Sequence, residues 1–186
     1  MHSSIKRAAA LAASILFLST AAGGAGTEIG ASIARLAVGD WPEYSRDLAG
    51  LMIQKYGPPD EIVPSQLSWS RRGEWTQIVV FKDALDFDRQ KGLLEAVPYF
   101  VPLRRWRELA AFDRGVSYDP MKRELVVRTD DEGSNYLALN LADEVVRGLR
   151  TPADANAFYD KTVSLSASGK SSAYTRGLRF RPQPEP

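Results

Sequence analysis

Apolar residues recur at helical spacing in the segment that begins near residue 40. Asp40 is a residue type that caps a helix start, and Pro42 suits a first turn. Gly57 can take the left-handed conformation that ends a helix, and two prolines follow it. The pattern predicts a helix over 40–56, preceded by a linker or a loose helix over 23–39. Its predicted apolar face consists of Trp41, Tyr44, Leu48, Leu51, Met52 and Tyr56.

The next segment alternates apolar and polar side chains with the two-residue period of β-strands. Residues 66–70 and 75–81 form the strands of a hairpin, and residues 71–74 supply its turn. We expect a register in which Trp69 faces Thr76. One side of the hairpin then carries Leu67, Trp69, Ile78 and Val80, and the other carries Trp75, Val79 and Phe81.

Both sides of this hairpin hold large apolar groups, so both need cover. If no helix covers the second side, Trp75, Val79 and Phe81 form an exposed apolar patch of the kind that binds partners. We therefore identify these three residues as a candidate binding surface. Burial beneath a helix is the alternative interpretation.

Shorter patterns predict the remaining elements, which are a strand over 93–101, a short helix over 103–112, a second hairpin over 116–128, and helices over 130–147 and 151–165. In the short helix, Leu103, Trp106 and Leu109 are predicted to face inward. The strands do not alternate one-for-one with helices. This order predicts one α+β domain over 40–166, with an antiparallel sheet built from hairpins and packed by an N-terminal helix and two C-terminal helices.

The first residues have the pattern of a secretory signal. Lys6 and Arg7 precede an apolar run over 8–18, and small residues follow it. That run is shorter than the ~20 residues that span a bilayer. We predict a signal peptide over 1–22, cut at about residues 21–25, no membrane span after cleavage, and a periplasmic or secreted location; a retained membrane anchor is the alternative.

Composition then excludes several kinds of chemistry. The 186 residues include no cysteine and one histidine, His2, which the predicted cleavage removes. Ser-His-Asp triads, cysteine nucleophiles and zinc sites built on His or Cys are then impossible. We expect neither a cofactor nor a metal site, and the prediction leans toward a protein that is not an enzyme.

Charge is distributed unevenly. Residues 23–166 hold 18 basic and 22 acidic side chains, which argues against a nucleic-acid partner. Residues 167–186 hold four basic side chains and one acidic side chain, together with many Ser, Gly and Pro residues. We predict that this basic, proline-rich tail is disordered and that it can touch anionic envelope polymers.

Two charged clusters are candidate sites. Arg104 and Arg107 lie near one another on the predicted short helix, where guanidinium groups can bind a phosphate or a carboxylate; a solvated helix face is the alternative. Asp130, Asp131 and Glu132 are candidate carboxylates for hydrolysis. Adjacent acids at a helix start usually stabilise the helix instead.

Three segments resemble an uncharacterised family of exported bacterial proteins: WPEYSRDLA at 41–49, MIQKYGPPDE at 52–61 and LNLA at 139–142. The resemblance covers most of residues 40–165 and implies an envelope location without an activity. Residues 49–81 also resemble small outer-membrane-assembly lipoproteins of the SmpA/OmlA type, which place a helix, a Gly-Pro turn and a tryptophan-bearing hairpin in series. This chain lacks their cysteine anchor and continues for two further helices.

We therefore predict a non-enzymatic exported binding or interaction protein whose partner is an envelope protein or an anionic envelope polymer. One alternative is a carboxylate-dependent glycoside hydrolase that acts on envelope polysaccharide. A second alternative is a structural protein tethered to the envelope by its tail. The sequence pattern indicates no oligomeric state.

Overall fold

The structure is a computed structural model that describes residues 25–83 and 92–182. The predicted signal peptide lies outside these residues. The elements in chain order are α1 (Ala25–Ala37), α2 (Glu43–Tyr56), β1 (Glu61–Val63), β2 (Gln66–Arg72), β3 (Trp75–Phe81), β4 (Leu93–Pro98), the 3₁₀ turn η1 (Leu103–Arg105), α3 (Trp106–Ala110), β5 (Val116–Asp119), β6 (Glu124–Thr129), α4 (Glu132–Val146), α5 (Pro152–Ala167) and the 3₁₀ turn η2 (Ala173–Thr175).

The strands form a six-stranded sheet in the order β1-β2-β3-β4-β6-β5, and every neighbouring pair is antiparallel. The α+β prediction is confirmed. One core joins α1, α2, α4 and one face of the sheet, where Leu67, Ile78, Leu93 and Leu125 are fully buried. Within the described residues, the helices are too short or too polar to cross a membrane.

The first hairpin forms with a different register from the predicted one. Trp69 pairs with Ile78 and Arg72 pairs with Trp75, so the turn is Gly73 and Glu74 and the register is shifted by two residues. Gly73 has a φ of 58°, which glycine adopts without strain. Because side chains alternate with a period of two, a two-residue shift leaves the predicted inward set on the core side. Leu67, Trp69, Ile78 and Val80 are all fully buried.

The N-terminal segment is more helical than the linker interpretation implied, because α1 is continuous from Ala25 to Ala37. Helix α2 starts at Glu43, after Pro42, and Asp40 does not cap it. The Asp40 carboxylate instead pairs with Lys82, 2.8 Å from its Nζ atom. At the other end, Gly57 has a φ of 79° and its N–H donates to the Ile53 carbonyl, as the sequence predicts.

The short helix over 103–112 also differs from its prediction. A 3₁₀ turn follows Pro102, and only five residues then form the α-helix. A 3₁₀ turn has three residues per turn rather than 3.6, so the faces rotate relative to the predicted ones. Leu103 and Trp106, which the sequence placed inward, are exposed, and Leu109 is buried as predicted.

Side chains cap the starts of α4 and α5. The Asp131 carboxylate accepts a hydrogen bond from the Ser134 N–H at 2.8 Å, and Thr151 Oγ1 accepts one from the Asp154 N–H at 3.1 Å. These side chains satisfy backbone donors that a helix start leaves without a partner.

The C-terminal segment corrects the prediction of a disordered tail. Within residues 168–182, Tyr174, Leu178 and Phe180 pack on the core, and the 3₁₀ turn η2 contacts α4. Asn140, which is buried, donates to the carbonyls of Tyr174 and Gly177 and accepts from the Arg179 N–H. The sequence of this segment has neither a helical nor a strand period, and the side-chain amide of Asn140 holds its backbone in place by hydrogen bonds.

Candidate functional site: an arginine-lined cleft

A cleft of about 720 Å³ opens beside the C-terminal half of α4. We call it the arginine cleft. Three parts of the chain form it: the segment from the end of β4 through η1, the last turns of α4, and the C-terminal segment. Its lining consists of Tyr99, Phe100, Pro102, Arg104, Arg105, Asp143, Val146, Arg147, Phe180 and Arg181.

The lining contains four arginines and one carboxylate, so its charge is strongly positive. Asp143, the carboxylate, is largely buried and faces Arg147 Nη1 at 3.3 Å. Arg105 Nη1 lies 3.6 Å from Glu108 Oε1. Over the described ranges 25–83 and 92–182, Arg104 and Arg181 have neither a hydrogen bond nor an ion pair through their side chains. Two guanidinium groups are therefore available to a ligand.

Aromatic side chains form the rest of the surface. The Tyr99 hydroxyl donates to Asp143 Oδ1 at 2.7 Å, and Phe180 packs edge-on against the Tyr99 ring with the centroids 5.3 Å apart. Burial, together with the hydrogen bond to Asp143, raises the pKa of Tyr99 above its ordinary value, so the phenol stays protonated. Phe100 is 54% exposed. The cleft thus offers flat apolar surface beside its cationic groups.

Local sequence features position these groups. Asp143 and Arg147 are four residues apart on α4 and therefore share a face of that helix. Gly148 ends α4 with a φ of 73°, and a Cβ atom at this position would lie 2.8 Å from Arg105 Nη2. The Arg105 guanidinium therefore lies directly over a residue without a side chain. Asn140 holds the segment that carries Phe180 and Arg181.

A second cleft of about 720 Å³ adjoins the first and shares Arg105 with it. Its charge is mixed, because Glu108 and Asp154 lie there with Arg150 and Lys161. The Arg150 guanidinium is occupied by Glu144 at 2.6 Å, a hydrogen bond that raises its pKa, and it lies over the Phe158 ring. Of these two neighbouring clefts, the arginine cleft is the better anion site.

The three candidate residues of the first hairpin, Trp75, Val79 and Phe81, do not form an exposed apolar patch. Trp75 is buried: its Nε1 donates to the Tyr56 hydroxyl at 2.9 Å, and its ring centroid lies 5.2 Å from that of Tyr136. Val79 is buried as well. Phe81 is half-buried, and the Arg128 guanidinium lies 3.8 Å from its ring centroid. Trp75 and Val79 therefore present almost no surface to a partner.

The two candidate arginines lie in different places. Arg104 lines the cleft, whereas Arg107 is exposed on α3 and is not part of the lining. The sequence reasoning missed Arg147 and Arg181, which stand far from Arg104 along the chain. The four-residue spacing of Asp143 and Arg147 was a local signal for Arg147, whereas no local pattern pointed to Arg181.

The acidic candidates lie at the start of α4 and make structural contacts there. Asp131 caps α4, and Glu132 is hydrogen-bonded to Lys55 and to the Tyr56 hydroxyl. The carbonyl of Asp130 accepts a hydrogen bond from Tyr44. These contacts agree with the electrostatic interpretation of the three acids.

Another carboxyl, Glu95, lies in the core with no exposed surface. Its Oε2 accepts from Asn135 Nδ2 at 2.9 Å, and its Oε1 has no hydrogen-bond partner. Burial raises the pKa of Glu95 well above its ordinary value, which a general acid requires. A polysaccharide has no route to this side chain in the folded domain.

Clusters of three or more potential metal-ligating side chains are absent from the part of the chain that the structure describes. Comparison with protein-family models, with curated proteins and with solved structures finds no match to this chain.

Proposed function

We propose that this chain is an exported, non-enzymatic binding protein that holds an anionic ligand in the arginine cleft. The signal-peptide pattern supports export, and the cleft supplies the binding chemistry. A guanidinium group matches the geometry of a carboxylate or a phosphate and can donate two parallel hydrogen bonds to it. An anionic envelope polymer, the partner predicted from the sequence, carries such groups.

One observation carries the proposal. Arg104 and Arg181 flank a cleft whose own carboxylate, Asp143, is already bound by Tyr99 and Arg147. The protein thus neutralises part of the positive charge internally, and within the described residues two guanidinium groups are left without a partner. An external anion would complete this arrangement. Phe100 and Phe180 offer apolar contacts to a sugar or another ring that bears the anion.

The hydrolase alternative has weaker support. Asp143 is engaged by two neighbours, and the acid with the raised pKa, Glu95, is fully buried. Glycoside hydrolysis needs two carboxyl groups that flank the scissile bond, at a distance of ~5–9.5 Å from each other. The arginine cleft contains one.

Calorimetric titration at low salt tests the proposal with glucose 6-phosphate as the probe and glucose as its neutral counterpart. We expect the phosphorylated sugar to bind and glucose to show no heat above dilution. Changing both Arg104 and Arg181 to Ala should weaken binding by at least about tenfold, because each hydrogen bond to a charged group contributes ~1.5–3 kcal/mol.

The matched control is Arg107→Ala, which removes an exposed arginine of the adjacent helix that does not line the cleft. This variant should bind as the unmodified chain does. Equal losses in the control and in the double variant would indicate nonspecific charge attraction and would contradict the cleft. Equal binding of glucose and its phosphate would contradict an anion site.

A further inference from the structure

Helix α1 has two opposite apolar faces of different size. Its inward face carries Ala31 and Ala34, and Val38 directly follows its last residue; all three are buried. Its outward face carries Ile29, Ile33 and Leu36, which are 62%, 54% and 82% exposed. At 100° per residue, the two sets point in opposite directions. The helix therefore packs on the domain through small residues and presents its larger apolar residues to the outside.

The outward set has the spacing of a helix–helix seam. Ile29, Ile33 and Leu36 follow one another at intervals of four and three residues and form a continuous stripe along the 13-residue helix. Stripes of this kind are buried against another helix in bundles and coiled coils. We call these three residues the α1 stripe.

The charges beside the α1 stripe favour one particular occupant. Glu28 and Arg35 are the only charged residues of α1, and both are exposed. They are seven residues apart, so they lie on the same flank of the stripe, two turns from each other. The helix thus has one negative and one positive flank position and no net charge. Helices that bind membrane surfaces instead carry a polar face rich in Lys and Arg.

We infer that the α1 stripe is the contact of a homodimer in which two α1 helices pack antiparallel. The two-fold axis of this dimer runs perpendicular to both helices and passes between them, level with residues 31–33. Ile33 of both copies then lies near the centre of the contact. The same axis brings Glu28 of each copy opposite Arg35 of the second copy, on the same side of the seam. The Glu28–Arg35 pair then occurs twice by symmetry.

A parallel arrangement would not bring these flanks together, because a two-fold axis along the helix places the charged flank of one copy against the uncharged flank of the other. The antiparallel form is therefore the one in which apolar burial and charge complementarity coincide. This contact lies on α1, outside the arginine cleft, and does not depend on the proposed ligand.

The seam is short, and its length limits its strength. A helix of 13 residues is ~20 Å long, so the buried area falls below the ~1,600 Å² of a standard interface. We expect a weak, reversible dimer that forms at high protein concentration.

Analytical ultracentrifugation over a range of concentrations tests the dimer, using protein expressed from the full sequence. Ile33→Asp should leave the chain monomeric over the whole range and leave its circular dichroism unchanged, because Ile33 is exposed in the monomer. Met121→Asp is the matched control: Met121 is also an exposed apolar residue, in the turn between β5 and β6. This control should dimerise like the unmodified chain.

Charge exchange tests the antiparallel geometry. Glu28→Arg alone and Arg35→Glu alone should each weaken the dimer by about tenfold, since two attractive pairs become repulsive. The variant that combines both changes should regain the original affinity. An equimolar mixture of the two single variants should form a mixed dimer, because each then faces opposite charges.

Three results would overturn the inference. One is a chain that stays monomeric at the highest concentration. Another is a combined variant that dimerises no better than the single variants. The third is a chain that does not self-associate but binds phosphatidylcholine–phosphatidylglycerol vesicles, with binding that Ile33→Asp abolishes. This result would assign the α1 stripe to a membrane surface. The dimer inference and the cleft proposal can fail separately. Titration of Ile33→Asp with glucose 6-phosphate measures ligand binding by the cleft independently of dimer formation.

Discussion

The Tyr99 hydroxyl donates a 2.7 Å hydrogen bond to the largely buried Asp143 carboxylate in the lining of the arginine cleft. Tyr99 directly follows β4, whereas Asp143 belongs to α4, so this bond ties the sheet to the helix layer. Arg147 faces the other carboxylate oxygen at 3.3 Å. Asp143 therefore has a structural role, and across ranges 25–83 and 92–182 Arg104 and Arg181 have no side-chain partner.

Tyr99→Phe should destabilise the domain. It removes one hydrogen-bond donor from a largely buried carboxylate, which costs about 1–3 kcal/mol in free energy of unfolding. Urea unfolding followed by tryptophan fluorescence measures the change. Tyr118→Phe serves as the control, because among the described residues the Tyr118 hydroxyl has no hydrogen-bond partner. Equal effects of the two variants would contradict the role of Asp143.

Asn140→Ala should release the C-terminal segment. The Asn140 amide makes three hydrogen bonds to the backbone of residues 174–179, and no other side chain replaces them. We expect rapid hydrogen exchange and tryptic cleavage within residues 170–181, together with weaker ligand binding as Phe180 and Arg181 leave the cleft. Asn156→Ala, which removes a single 3.3 Å hydrogen bond at the surface, should leave the segment protected.

Gly148→Ala should lower the free energy of unfolding by about 1–2 kcal/mol. Its φ of 73° is strained for alanine, and the added Cβ would displace the flexible Arg105 guanidinium at little extra cost. Gly50→Ala, in the interior of α2 with open space around the new Cβ, should have the opposite sign and stabilise by roughly 1 kcal/mol. Thermal unfolding of both variants checks the contrast.

Glu95→Gln should alter the dependence of stability on pH. Burial raises the pKa of Glu95 in the folded state, so the folded protein holds a proton that the unfolded chain releases near its ordinary pKa of about 4.3. The stability of the unmodified chain therefore falls as pH rises above that value, by up to ~1.4 kcal/mol per pH unit. The Gln variant lacks this loss.

Urea unfolding at pH 4, 6 and 8 measures this difference, which should favour the Gln variant increasingly as pH rises. The other charged groups that influence Glu95 are Glu132, Lys55 and Glu74, and both proteins contain all three. A stability difference that does not change with pH would show that Glu95 titrates as it does in the unfolded chain.

Local sequence signals predicted much of the fold. The helical period and Gly57 predicted α2, and the acidic residues at 130–132 indicated the start of α4. The alternation of the first hairpin predicted which of its residues face the core. These features depend on contacts between residues a few positions apart, and a linear pattern can contain them. The signal peptide and the family resemblance stay predictions.

The candidate site was predicted only in part. Arg104 stood out because arginines cluster around Trp106, but the same reasoning favoured Arg107, which the 3₁₀ turn at Pro102 separates from the cleft. The apolar hairpin side suggested a binding patch, yet Trp75 is covered by Tyr56 and Tyr136 from α2 and α4. Periodicity shows which residues share a face, but it does not show what packs on that face.

By itself, the sequence determined the fold class, the main helices and the inward face of the first hairpin. Tertiary structure alone decided the hairpin register, since two registers that differ by two residues bury the same side chains. It also decided the order of the tail, which depends on the buried amide of Asn140 on another element. The arginine cleft belongs to this second group, because its charges come from segments separated in sequence and only packing of the core brings them together.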